Sequence, residues 1–150
     1  MQPAAKPRTT DRSASFRART GGLAVRNLLA RAMRALERWG YPPQGRGAVE
    51  LVLAEVLNNV AEHGYDQRDG GPFQLELQLT DSTLTCIVTD HGRPFPGGDL
   101  PEGRPAHLAG PTEDLPEGGF GWHLIREMTA DLRYHRKDNR NELTLLFMVV

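Results

Sequence analysis

Cysteine is almost missing from this chain: Cys86 stands alone among 150 residues. That excludes an intrachain disulfide. Its place in an alternating apolar run predicts a small buried hydrophobe rather than a reactive thiol. Long apolar runs are also missing. None reaches the ~18 residues that a membrane-spanning helix needs, so no membrane contact is expected. The basic N-terminus lacks an apolar stretch, so a secretory signal is not expected and the cytoplasm is the default compartment. Net charge is scarce as well, at −1, which gives no global field for nucleic acid or lipid. One local exception is residues 1–20, where Lys6, Arg8, Arg12, Arg17 and Arg19 face Asp11 alone.

What the chain does have is the make-up of one soluble domain, 39% hydrophobic and 25% charged. Residues 1–12 are polar and proline-bearing, and are expected to be a disordered basic arm. Residues 13–150 then read as a single domain. Ser13 to Arg19 alternates and predicts an edge strand. From Leu23 to Trp39, apolar residues recur at helical spacing, and Gly40 to Pro43 ends that helix. A second helix is expected from about Arg46 to His63, with Gly64 as its stop. Phe73–Leu79 and Thr83–Thr89 predict an antiparallel hairpin. A short helix from Trp122 to Ala130 follows, and then two closing strands, Leu132–Arg136 and Glu142–Val150.

Between them lies a segment of different character. Residues 92–121 hold eight of the sixteen glycines and six of the eleven prolines. A loop this long in a compact domain points to a lid or to disorder. Adjacent strands argue against a doubly wound sheet. The fold class expected is α+β, a two-layer sandwich with a mixed, mostly antiparallel sheet and helices on one face.

The second helix carries Glu55, Asn59 and His63 at i, i+4 and i+8, which stacks them in one stripe. A carboxylate and an amide oxygen one turn apart suit magnesium, which takes few protein oxygens and completes its shell with water and phosphate. Glu55 could also act on an attacking hydroxyl. Alone, the stripe is no more than a solvated helix face. Its order does not match a zinc-protease helix. Asp90-His91-Gly92 at a strand end could accept a hydrogen bond from an exocyclic amine, with Gly92 admitting a flat ring. It could equally be an ordinary turn. Gly118-Gly119-Phe120-Gly121 opens a helix, so its amides could cradle phosphates. It is neither a Walker A nor a Rossmann motif.

Order and context make the three elements more specific together. In combination they resemble the GHKL ATPase superfamily and its Bergerat ATP-binding fold. The short length and motif wording resemble the bacterial anti-sigma factor serine-protein kinases. Glu50–Tyr65 is similar to that family's N box, Asp90–Phe95 to its first glycine box, and Gly118–Gly121 with Leu124-Ile125 to its second. The resemblance implies ATP and Mg2+ as cofactors. It implies phosphorylation of a serine on a STAS-domain anti-anti-sigma protein, sequestration of a sigma factor in many systems, and a homodimer.

Residue by residue, the resemblance implies Glu55 as the base and Asn59 as the magnesium ligand. His63 is grouped with the nucleotide-binding residues without a task of its own. Asp90 would take the adenine amine, with Gly92 under the ring. Gly119 and Gly121 would contact phosphates, and Thr144 would assist at the base. His91 departs from the family, which often has an acid or amide there. The competing expectation is a non-catalytic, nucleotide-gated module that grips a sigma factor or another regulator. Glu55 argues against it, since such a module needs no base.

Overall fold

A computed structural model of the chain describes residues 11–95 and 119–149. The disordered arm expected over residues 1–12 and most of the lid expected over 92–121 lie outside these. The elements are β1 (Arg12–Arg19), α1 (Ala24–Arg38), α2 (Pro43–Asn59), β2 (Pro72–Leu79), β3 (Thr83–Asp90), α3 (Gly119–Met128), β4 (Asp131–Lys137) and β5 (Arg140–Met148). The strands form one sheet in the order β1-β2-β3-β5-β4, and every pairing is antiparallel. The expectation of a mixed sheet is corrected in that respect. The hairpin β4–β5 returns beside β3, so no described pair runs parallel. β1 is an edge, as its polar alternation suggests.

Period-two alternation decides the two faces of the sheet. Phe73, Leu75, Leu77 and Leu79 on β2 turn inward, as do Leu84, Cys86 and Val88 on β3 and Leu143, Leu145 and Phe147 on β5. Against them pack Leu28, Ala32, Ala35 and Leu36 of α1 and Val49, Val52, Leu53, Val56 and Leu57 of α2. Trp122 and Ile125 of α3 complete the layer. The other face of the sheet carries Arg17, Gln74, Glu76, Thr85 and Thr144, none of which is buried. The helices therefore cover one face.

α2 starts with Pro43 in its first turn, where a missing N–H costs no hydrogen bond. It does not run to His63 in one geometry. After Asn59 the chain widens into a π-helical turn, Val60–Gly64, closed by the Tyr65 N–H on the Val60 carbonyl at 3.1 Å. Such turns interrupt helices mainly at functional sites. Asp66 and Gln67 follow with left-handed φ of 52° and 59°.

Burial pushes the Cys86 thiol well above its ordinary pKa. A buried thiol at that pKa is inert. Labelling of the native protein by a thiol reagent is therefore expected to be slow and to accelerate with denaturant along the unfolding curve. Rapid stoichiometric labelling without denaturant would contradict the placement. Leu145→Ala, on an interior strand, is expected to cost about 2–5 kcal/mol in denaturant unfolding.

Candidate functional site

Three segments meet at the C-terminal end of β3: the close of α2, the turn after Asp90, and the first turn of α3. Glycine makes two of the contacts possible. A Cβ on Gly92 would lie 2.5 Å from the Gly64 carbonyl oxygen, so backbone rests on backbone there. The Arg93 N–H donates to the same carbonyl at 2.9 Å. A Cβ on Gly121 would lie 2.6 Å from Glu55 Oε2, so the Glu55 carboxylate sits against the opening turn of α3. Negative charge is favoured at that end of a helix.

Asp90 is buried, at 7% exposure. Its Oδ1 accepts two hydrogen bonds, from the Gly92 N–H at 2.8 Å and from Asn141 Nδ2 at 2.9 Å. Oδ2 has no hydrogen-bond partner among the described residues. Desolvation raises the Asp90 pKa. The two hydrogen bonds and the charges of His91 and Arg136 act in the opposite direction.

Asn141 ties the turn together. Its Nδ2 also reaches the carbonyls of Gly92 at 3.2 Å and Arg93 at 3.0 Å. Its Oδ1 accepts from Tyr134 Oη at 2.6 Å and from an Arg136 guanidinium N–H at 2.7 Å. The same Arg136 nitrogen donates to the Gly92 carbonyl at 2.9 Å. Phe95 closes the motif, edge-on to Trp122 at 5.1 Å and to Tyr134 at 4.8 Å. It links the Asp90 turn to α3 and β4 through aromatic contacts.

Asn59 is 8% exposed, and its Nδ2 is buried with no hydrogen-bond partner among the described residues. Exchanging the two amide atoms would only move the other one there. An orphaned buried amide costs about 1–3 kcal/mol, which a bound ligand or an ordered water would offset. A carboxylate and an amide one helical turn apart fit a hard cation that keeps its waters and phosphate oxygens.

Of the residues expected from sequence, Glu55, Asn59, Asp90, Gly92 and the backbone of Gly119–Gly121 converge on this end of the sheet. Two do not join as expected. The stripe stops at Asn59, because the π-turn changes the pitch. The His63 ring is exposed, with Glu62 Oε2 at 4.0 Å. Its carbonyl is the part used: the Arg93 guanidinium donates to it at 3.1 and 3.3 Å while also pairing with Asp66. Thr144 pairs across the strands with Ile87 and Arg133, on the face turned away from Asp90. The inward polar residue of β5 is Asn141, three positions earlier. At Gly92 the space a Cβ would need is filled by the Gly64 backbone.

Asn141, Tyr134, Arg136 and Tyr65 escaped the sequence reading. The Tyr65 hydroxyl donates to the Pro72 carbonyl and accepts from the His91 N–H, both at 2.7 Å. The signal for Asn141 was present. Counting back by twos from Phe147, Leu145 and Leu143 puts a polar residue on the core face.

The chain matches the histidine kinase-like ATPase domain family over residues 16–147. It is 34% identical to the serine-protein kinase RsbW of Halalkalibacterium halodurans over 61% of this chain and 56% of that protein. It is 28% identical to the serine/threonine-protein kinase BtrW of Bordetella bronchiseptica over 73% of each. The RsbW protein of Oceanobacillus iheyensis is 24% identical, with 64% of its length covered. The chain thus spans less than two thirds of both RsbW proteins. Among solved structures, the RsbU and RsbW domains of a Mycobacterium tuberculosis protein superpose with a TM-score of 0.63 at 15% identity. That likeness, over 91% of this chain and 31% of the other, is one of fold.

Asp90→Asn tests the electrostatics directly. A raised carboxylate pKa means that the folded state holds the proton more tightly than the unfolded state. The charge therefore lowers stability above that pKa, and the penalty vanishes as pH falls below the ordinary carboxylate value. The Asn variant is expected to unfold at the same or a higher temperature than the parent at pH 7, with the difference closing toward pH 3. A variant clearly less stable at pH 7 would contradict this account.

Proposed function

The chain belongs to the histidine kinase-like ATPase domain family, and from that premise we propose that it binds Mg-ATP and transfers the γ-phosphate to a serine of a STAS-domain anti-anti-sigma protein. The observation that carries the proposal is the free oxygen of Asp90. With Oδ1 saturated by Gly92 and Asn141, Oδ2 is a fixed acceptor, in a buried place, for one N–H donor. The exocyclic amine of adenine is such a donor.

Asn59 and Glu55 face the phosphate end. The unpartnered Nδ2 of Asn59 is a donor suited to a phosphate oxygen, and its Oδ1 is the atom suited to magnesium. Asn59 would hold magnesium, which would supply the charge that neutralises the phosphate oxygens. The amides at the start of α3, from Gly119 to Gly121, suit phosphate oxygens at a helix N-terminus. Glu55 is the acceptor for the proton of the attacking hydroxyl. As the serine Oγ bonds to the γ-phosphorus, its proton passes to the carboxylate, the bond to the β,γ-bridging oxygen breaks, and ADP departs. Loose phosphoryl transition states ask chiefly for this kind of positioning.

The likeness to RsbW and BtrW, both named as serine kinases, supports the choice of a protein serine as acceptor. The assignments of a STAS-domain partner, a sigma factor and a homodimer rest on the resemblance of the motifs to the anti-sigma factor kinases.

The test is a pull-down with Mg-ATP followed by mass spectrometry of the captured protein. A phosphoserine on that protein is expected. Glu55→Gln is expected to slow transfer by about 10²–10⁴-fold, the usual worth of a positioned base, while ADP binding persists. Asn59→Ala is expected to weaken ATP binding in the presence of magnesium far more than in its absence. Transfer that survives Glu55→Gln unchanged would remove the base from the mechanism. Stable capture with no phosphate transferred would overturn the kinase assignment.

A further inference from the structure

The face of the sheet that the helices leave uncovered has a hollow of about 710 Å3, lined by Arg17, Arg19, Gln74, Thr89, His91 and Arg140 together with Ala18, Pro72 and Phe73. Strand register explains its form. Arg17 pairs with Gln74 and Gln74 with Thr89, which makes one row across β1, β2 and β3. Arg19 pairs with Pro72 in the next row. Continuing the registers by one residue sets His91 beyond Pro72 and Arg140 beyond His91. Arg19 and Arg140 thus stand at the two ends of the second row, with Pro72 and His91 between them, while the first row runs from Arg17 through Gln74 and Thr89 to Glu142. Strands about 4.8 Å apart make the second row roughly 14 Å wide, the scale of a small molecule.

The lining holds three arginines and a histidine and no carboxylate. Arg17 has no hydrogen bond or ion pair among the described residues. Arg19 donates to the Gly70 carbonyl at 3.0 Å, which fixes its guanidinium while leaving its other donors available. Arg140 has Glu142 at 3.7 Å, a carboxylate that flanks the hollow across from Thr89, and both side chains are exposed. Such a pair is weak and gives way to a better acceptor. The floor adds the Thr89 hydroxyl, on a residue only 8% exposed. Planar guanidinium groups on two sides of a hollow favour phosphate, which takes them in pairs.

We propose that this hollow binds a small phosphate-bearing anion, as a second ligand site on the opposite face of β3 from Asp90. Its oxygens pair with Arg17, Arg19 and Arg140, and Thr89 contributes a neutral hydrogen bond from the floor. The volume lies within the ~300–1,000 Å3 of small-molecule sites, so the ligand is larger than a lone phosphate. Nothing in the site depends on the nucleotide assignment. Its charged and polar lining residues alternate to the sheet face turned away from Asp90.

Calorimetric titration of the full chain, without magnesium, with inorganic pyrophosphate and separately with ribose 5-phosphate tests the site. Saturable 1:1 binding of at least one probe is expected. The double variant Arg17→Gln, Arg140→Gln is expected to weaken it about tenfold or more, as the loss of paired guanidinium contacts implies, with the unfolding temperature unchanged. Asn59→Ala, and Arg26→Gln with Arg34→Gln on α1, should leave it within about twofold. The better probe distinguishes an inorganic polyphosphate from a phosphate ester. Absence of saturable binding would overturn the proposal. Equal weakening by the α1 pair would reduce it to general charge, and loss in Asn59→Ala would place the anion at the other site. Either result overturns it.

Discussion

Backbone against backbone, Gly64 on Gly92, is the contact on which the rest of the site depends. It brings the widened end of α2 onto the turn that follows β3, closer than any side chain would allow. Arg93 holds the contact from two sides, through its N–H on the Gly64 carbonyl and its guanidinium on the His63 carbonyl. Once the two segments touch, Asn59 and Glu55 on α2 and Asp90 on β3 belong to one wall. The π-turn serves the same end. It brings Gly64 to the turn, and it moves the His63 ring out to solvent.

Charge and polarity in the site are held at a cost to the fold. Asp90 is buried, and desolvation outweighs the hydrogen bonds that favour its ionised form. An apolar or amide residue there would be easier to fold. Asn59 carries the same mark, a buried amide atom with nothing to bond. Both features cost stability in a fold with no ligand, and a bound donor at Asp90 or a bound acceptor at Asn59 Nδ2 would offset that cost. The network of Asn141, Tyr134 and Arg136 spends its hydrogen bonds on keeping one Asp90 oxygen committed, which leaves the other in a defined direction.

Much of this was legible in the sequence because periodicity is local. The strands, the amphipathic α1 and the edge position of β1 follow from spacing alone. Glu55 and Asn59 were legible as a stripe for the same reason. What was not legible depends on changes of period or on contacts distant in sequence. The stripe put His63 in line with Glu55 and Asn59, and a single wide turn takes its ring out of that line. Thr144 was assigned by resemblance, while alternation along β5 sends it to the far face and gives the inward place to Asn141. The packing of Gly92 against Gly64, 28 residues earlier in the chain, is a contact that no local pattern reveals. The cationic hollow was invisible because its residues come from four strands whose register no local pattern reveals.

The central claim is that Asp90 offers one fixed, unshared oxygen to an amine donor. Inosine diphosphate differs from ADP at that position by carrying a carbonyl in place of the amine, so titrating both nucleotides isolates the contact. ADP should bind the parent protein about 10–100-fold more tightly than inosine diphosphate, the worth of a hydrogen bond to a charged acceptor. That preference should collapse in Asp90→Asn. Equal affinity of the parent protein for the two nucleotides would contradict the account.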